Sequence, residues 1–146
     1  MGTRIREIMT SRPRSASPET PLSQVAELMS SEDVGAMPVV DGERLVGMVT
    51  DRDIVVRAIA EGKDPRGMPV AEVMSRDLLA VRPDDDLRDA RELMAAHQVR
   101  RLPVVDEDDN LIGIVSQADV ALEAKEKDTG EMLEEISKPP SGPRVG

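Results

Sequence analysis

Phenylalanine, tyrosine, tryptophan and cysteine are all absent from this chain, and histidine occurs once, as His97. Without cysteine there is neither a disulfide framework nor a thiolate metal site. One imidazole cannot build a multi-histidine zinc site within one chain. A Ser-His-Asp arrangement would have to use His97, which precedes VRRLPVV in a helix-like segment. A solvated residue near a helix C-terminus is the simpler reading of that position. Positive charge is in deficit too, with 19 basic against 29 acidic side chains and a formal net charge of −10. Such a surface repels a phosphate backbone, and without aromatics it offers single strands no stacking platform, so no nucleic-acid partner is expected. No apolar run approaches the roughly 18 residues of a membrane span. The N-terminus, MGTRIREIMTSRP, lacks a signal-peptide core, and Arg6 breaks the myristoylation pattern. A cytoplasmic protein without a membrane partner is expected.

The chain is 39% hydrophobic and 33% charged over 146 residues, the balance of a soluble globular protein. A chain of this length buries roughly 70% of its unfolded surface, enough for independent stability. Its acidity is uneven: residues 1–69 carry 9 basic and 11 acidic side chains, residues 70–146 carry 10 and 18.

One unit is written twice. IREIMTSRP near the start answers VAEVMSRDL from residue 70, placing Met9 against Met74 at an offset of 65. The offset persists through Pro18 and Pro83, Leu22 and Leu87, and Pro38-Val39-Val40-Asp41 and Pro103-Val104-Val105-Asp106. One extra residue in the second turn then moves it to 66, which pairs Gly47 with Gly113 and Asp53 with Asp119. Within each unit Pro18 and Pro83 favour extended chain. Leu22, Val25, Leu28 and Met29, and equally Leu87, Ala90, Leu93 and Met94, recur at helical spacing. PVV, a polar turn (DGER or DEDDN) and LVGMV or LIGIV then read as a hairpin. A second helix follows, from about Arg52 to Ala60 with Gly62 as its stop, and its counterpart begins near Ala118. The expected fold is α/β (α+β): two β-α-β-β-α repeats, each led by a short helix at 5–9 or 70–74. The expected boundaries are 3–62 and 70–125 for the repeats, 63–69 for a polar linker, and 126–146 for a C-terminal helix and partly disordered tail.

The Pro-Val-Val strand and the Gly-apolar-apolar-Thr/Ser-x-x-Asp junction, in GAMPVV, GMVTDRDIV, HQVRRLPVV and GIVSQADV, carry a family resemblance. They resemble the paired CBS domains, a tandem known as a Bateman module, over about residues 3–125. The likeness extends to stand-alone bacterial members, including the hypoxic-response type of actinobacteria. It implies CBS repeats packed about a pseudo-twofold axis, with two clefts that hold adenosine-containing molecules: AMP, ADP, ATP, S-adenosylmethionine or a dinucleotide. It also implies a homodimer. A non-enzymatic sensor that signals to an unknown effector protein is therefore expected. No cofactor is required, and magnesium would enter only with a polyphosphate.

Two readings of the junction stand side by side. Thr50 or Ser116 as N-cap, with Asp53 or Asp119 three positions on, is nearly a capping box and needs nothing beyond helix initiation. Equally, a helix N-terminus receives phosphate, a role the family gives to Thr50 and Ser116. A carboxylate accepts from both hydroxyls of a ribose, a role falling to Asp53 and Asp119. Two features favour a ligand: a box prefers the longer Glu or Gln, and Gly47 and Gly113 would admit the close approach of another group. Candidate adenine walls are Ala16, Ser17, Met37 and Pro38 in one unit and Ala80, Val81, Leu102 and Pro103 in the other, with ordinary core packing as their alternative. Arg100 and Arg101 precede LPVV where the first unit has Gly35 and Ala36, and guanidinium forks suit phosphates. Their alternative is a solvated pair balancing DEDD. Arg52 would face phosphate or pair with Asp51. DEDDN mimics a calcium loop, but Leu111 and Gln117 stand where glycine and a bidentate glutamate are needed.

Overall fold

The computed structural model describes residues 2–123; the expected C-terminal helix and tail lie outside them. The first unit runs through helix α1 (Leu22–Glu32), strands β2 (Ala36–Asp41) and β3 (Arg44–Thr50), and helix α2 (Asp51–Ile54). The second repeats the order with α3 (Leu87–His97), β4 (Arg101–Val105), β5 (Leu111–Ser116) and a helix α4 over residues 117–123. Strand β1 (Thr10–Ser11) precedes them all. The expected two-repeat α/β architecture is thus observed, including both hairpins.

Helical spacing fixes what α1 and α3 bury. Leu22, Val25 and Met29 face one core, and Leu87, Ala90 and Met94 the other. Both helices stop on a left-handed residue at equivalent places, Asp33 (φ 54°) and Gln98 (φ 55°). His97, in the last turn of α3, is exposed, as a solvated C-terminal residue should be. The hairpins match down to their irregularity, with register shifts between Val39 and Val40 and between Val104 and Val105. Alongside them run single parallel bridges, Ala16 to Val39 and Val81 to Val104.

The leading segments depart from a simple pair of repeats. Each folds as a short 3-10 turn, Ile5–Glu7 or Val70–Glu72, and each packs into the other repeat. Ile5 joins the core of Val81, Leu87, Leu102 and Val115, whereas Val70, Val73 and Met74 join that of Leu22, Val25, Met37 and Val49. Backbone bonds hold both crossings: Ile5 N to the Asp85 carbonyl at 2.9 Å, and Val70 N to the Thr20 carbonyl at 2.8 Å. Strand β1 then pairs with β5, and Ser75 with Met48 of β3. Met68, inside the stretch expected to be a polar linker, is buried in the first core.

A pseudo-twofold relation is visible where the hairpins meet. Leu45 N donates to the Asp109 carbonyl at 3.0 Å, and the equivalent Leu111 N donates to the Glu43 carbonyl at 2.9 Å.

The helix expected over Arg52–Ala60 differs in kind. Only α2 is α-helical; Val55–Ile59 is a π turn, closed by Ala60 N donating to the Val55 carbonyl at 2.8 Å. A one-residue shift of the hydrogen-bond ladder leaves no mark on apolar periodicity. Gly62, at φ 74°, ends the segment as expected. Among the described residues no helix is long and apolar enough to cross a membrane.

The crossing depends on two glycines. A Cβ on Gly47 would lie 2.5 Å from Met74 Sδ and 3.1 Å from the Ser75 carbonyl oxygen. A Cβ on Gly113 would lie 2.6 Å from Met9 Sδ and 3.1 Å from the Thr10 carbonyl oxygen. Gly47→Ala and Gly113→Ala should each cost about 1–3 kcal/mol in denaturant unfolding, as overpacked sites do. Trimming Met74 should relieve only part of the first loss, because the Ser75 contact is backbone.

Candidate functional site

Both Thr/Ser-x-x-Asp junctions are complete capping boxes. Thr50, extended at φ −114° and ψ 162°, accepts at Oγ1 from Asp53 N at 3.1 Å, and Thr50 N donates to Asp53 Oδ2 at 2.9 Å. In the second unit Asp119 N donates to Ser116 Oγ at 3.1 Å, and Ser116 N donates to Asp119 Oδ2 at 3.3 Å. The short aspartate therefore closes a box usually drawn with glutamate, and its length is no argument for a ligand. The glycine argument changes as well. Gly47 and Gly113 do admit a close approach, but by Met74 and Met9 of the crossing segments.

Capping still leaves chemistry unused. Each box occupies one carboxylate oxygen, and each hydroxyl that accepts from the backbone keeps its own proton to donate. Asp53 retains 19% of its side-chain exposure. Its second oxygen, Oδ1, lies 4.0 Å from Arg57 Nε. Arg57 is a neighbour the motif did not expose; its only sequence signal is a spacing of four residues on the helix.

Strand register settles where the arginines lie. Arg101 is opposite Ser116, so the two side chains share a face of the sheet. The carbonyl of Arg100 accepts from Gln117 N at 2.7 Å. Ala36 occupies the corresponding place across from Thr50. Neither Arg100 nor Arg101 makes an ion pair among the described residues. Arg52 is exposed on the first turn of α2 and does not pair with Asp51, whose Oδ1 instead accepts from Arg52 N at 2.8 Å.

The adenine-wall candidates divide by burial. Met37, Val81 and Leu102 are each 1% exposed and belong to the two cores, and Ala16, Pro38 and Pro103 are buried too. Ala80 is half-buried; Ser17 is exposed and bonded to Thr20. DEDDN is an ordinary turn: Asp106 Oδ1 accepts from Asp108 N at 2.8 Å and Asn110 N at 3.0 Å. The Asn110 bond leads in holding the Asp106 carboxyl below its usual range. Among the described residues no cluster of acidic or histidine side chains is placed to hold a metal.

Comparison with known proteins settles the family. Residues 5–59 and 70–126 both match the CBS domain. The chain belongs to the CBS-domain family. It is 43% identical to a CBS domain-containing protein, YhcV, of Bacillus subtilis over 134 residues, 91% of this chain and 94% of that one. It is 34% identical to hypoxic response protein 1 of Mycobacterium tuberculosis over 138 residues, covering 94% and 96% of the two chains. Among solved structures it resembles CBSX2 in complex with AMP, with a TM-score of 0.76 at 31% identity over 87% of this chain and 99% of the other. The likeness to stand-alone bacterial CBS proteins, hypoxic-response type included, is therefore borne out, and such a pair is a regulatory module.

Because each hydroxyl is first a cap, its loss has a stability cost independent of any ligand. Thr50→Ala should lower the unfolding free energy by about 1 kcal/mol, whereas Thr50→Ser should retain most of it. Urea unfolding of the two variants measures the difference.

Proposed function

We propose that this CBS pair is a non-enzymatic cytoplasmic sensor that binds an adenosine-containing ligand, such as AMP, ADP or ATP, and passes occupancy to an effector protein. The observation that carries the reading is the duplicated corner, in which a hydroxyl and a half-used carboxylate meet at equivalent places in both repeats. The likeness to a protein crystallised with AMP supports it. In this reading Asp53 and Asp119 accept from ribose hydroxyls, while Thr50 and Ser116 donate to phosphate. Arg101, and Arg52 at the other corner, add charge to the phosphate end, and magnesium would accompany only a polyphosphate. The adenine lies against the edges of Met37 and Pro38, or of Ala80, Val81, Leu102 and Pro103. A ligand can shift the repeats only through unequal affinity for their arrangements. The crossing segments are suited to sense such a shift, because each belongs to one repeat and packs in the other.

A second reading is a ligand-independent homodimeric scaffold, and one observation favours it: both aspartates already have a structural task. Exposed apolar residues support the homodimer in either case. Val55, Val56 and Ile59 are 55%, 47% and 52% exposed, and Leu122, the equivalent of Val56, is 60% exposed. If this stripe is the contact, Val56→Asp with Ile59→Asp should convert a dimer to a monomer in sedimentation; a persistent dimer would place the contact elsewhere.

Calorimetry of the full chain with AMP, ADP, ATP, NAD and S-adenosylmethionine separates the readings. The sensor should bind at least one of them below millimolar. Asp53→Asn and Asp119→Asn, which keep a cap acceptor, should each weaken their own corner about tenfold or more, as losing a charged hydrogen bond does. No binding, or binding indifferent to both substitutions, leaves the scaffold.

A further inference from the structure

The two corners differ most at the fourth residue beyond each aspartate. In the first this is Arg57, whose Nε lies 4.0 Å from Asp53 Oδ1 and whose Nη1 donates to the Val73 carbonyl at 3.1 Å. In the second it is Glu123, which accepts from Thr3 Oγ1 at 3.0 Å. Asp53 Oδ2 accepts from the Thr50 N–H, and its Oδ1, which takes no hydrogen bond among the described residues, faces the Arg57 guanidinium at ion-pair distance. Asp119 is engaged on Oδ2 alone among the described residues, and its neighbour four residues on carries like charge, which compensates nothing. The strands sharpen the contrast, since Arg101 stands opposite Ser116 and Ala36 opposite Thr50. At the second corner the charges are separated, cation beside the hydroxyl and carboxylates on the helix. At the first, carboxylate and cation face each other.

We propose that Arg57 is an internal competitor for Asp53, so that an adenosyl ligand fills the Ser116–Asp119 corner first and must displace Arg57 to fill the other. This rests on the sensor reading and adds an order of filling to it. A ribose hydroxyl that donates to Asp53 Oδ1 takes the place the guanidinium holds. Arg57 also grips the Val73 carbonyl, one residue before the methionine that packs on Gly47. Its displacement therefore acts directly on a crossing segment, and the first corner becomes the one through which a second occupancy is felt. The competition is modest. Arg57 is 52% exposed, and a pair this open weakens binding by about two- to fivefold.

Adenosine is the suitable probe, because it carries no charge for salt to screen. In full-length protein with Asp119→Asn, where the first corner is the one left intact, Arg57→Gln should tighten adenosine binding about two- to fivefold, while Arg57→Lys should not. Raising the salt should tighten binding when Arg57 is present, by screening its hold on Asp53, and should do nothing in the glutamine variant. The salt series on the unsubstituted arginine needs no altered side chain at position 57, so it stands even if Arg57→Gln folds poorly. Affinity that does not rise with salt overturns the proposal, as does adenosine bound equally or more weakly by Arg57→Gln; weaker binding would make Arg57 a ligand contact. Failure of the sensor reading is distinct: Asp53→Asn and Asp119→Asn would then leave adenosine and AMP titrations unchanged from the parent.

Discussion

Everything else in this fold depends on an exchange: each repeat is completed by the segment that leads into the other. Ile5 and Val70 are wholly buried, and each sits in the core of the repeat to which its own sequence does not belong. The exchange buries apolar surface that short repeats could not cover alone, and it makes neither repeat a closed unit. Its tightest points are the two methionines over glycine, where the absence of a Cβ lets a backbone and a thioether reach the middle of strands β3 and β5.

That constraint shapes the corners. Three residues beyond each glycine the strand ends in a hydroxyl that caps the following helix. A cap and a crossing segment therefore flank the same short length of strand. Capping fixes the rotamer of the hydroxyl and one carboxylate oxygen, which is the preorganisation a polar ligand site needs. The binding role proposed for the aspartates would not compete with capping for the same atoms, since the box uses one oxygen of each and leaves the other.

The equivalence of the corners ends at their charges. Arg57 and Glu123 occupy one helical position, Ala36 and Arg101 one strand position, and Asp51 and Gln117 the first position after the hydroxyl. Duplication preserved the apolar pattern and the cap, on which folding depends, while these exposed or half-exposed positions were free to diverge. In the proposed sensor, corners this unequal would report graded rather than all-or-none occupancy.

The sequence by itself determined the repeat, its helices and hairpins, and the two capped junctions, because each is a local pattern: apolar spacing in Leu22, Val25 and Met29, polar turns at DGER and DEDDN, and hydroxyl and aspartate three apart. It also pointed to the arginines before LPVV, though register alone put Arg101 across from Ser116. Tertiary structure decided what those patterns leave open. Local pattern could not say that Ile5 packs with Leu87 or Val70 with Leu22, since an apolar residue is equally content in either core. Nor could it say what fills the space over Gly47 and Gly113, or that a π turn follows Asp53. The contact of Arg57 with the Val73 carbonyl is of the same kind, made only once a segment 16 residues further along the chain has crossed into place, whereas its approach to Asp53 follows from a local spacing of four residues.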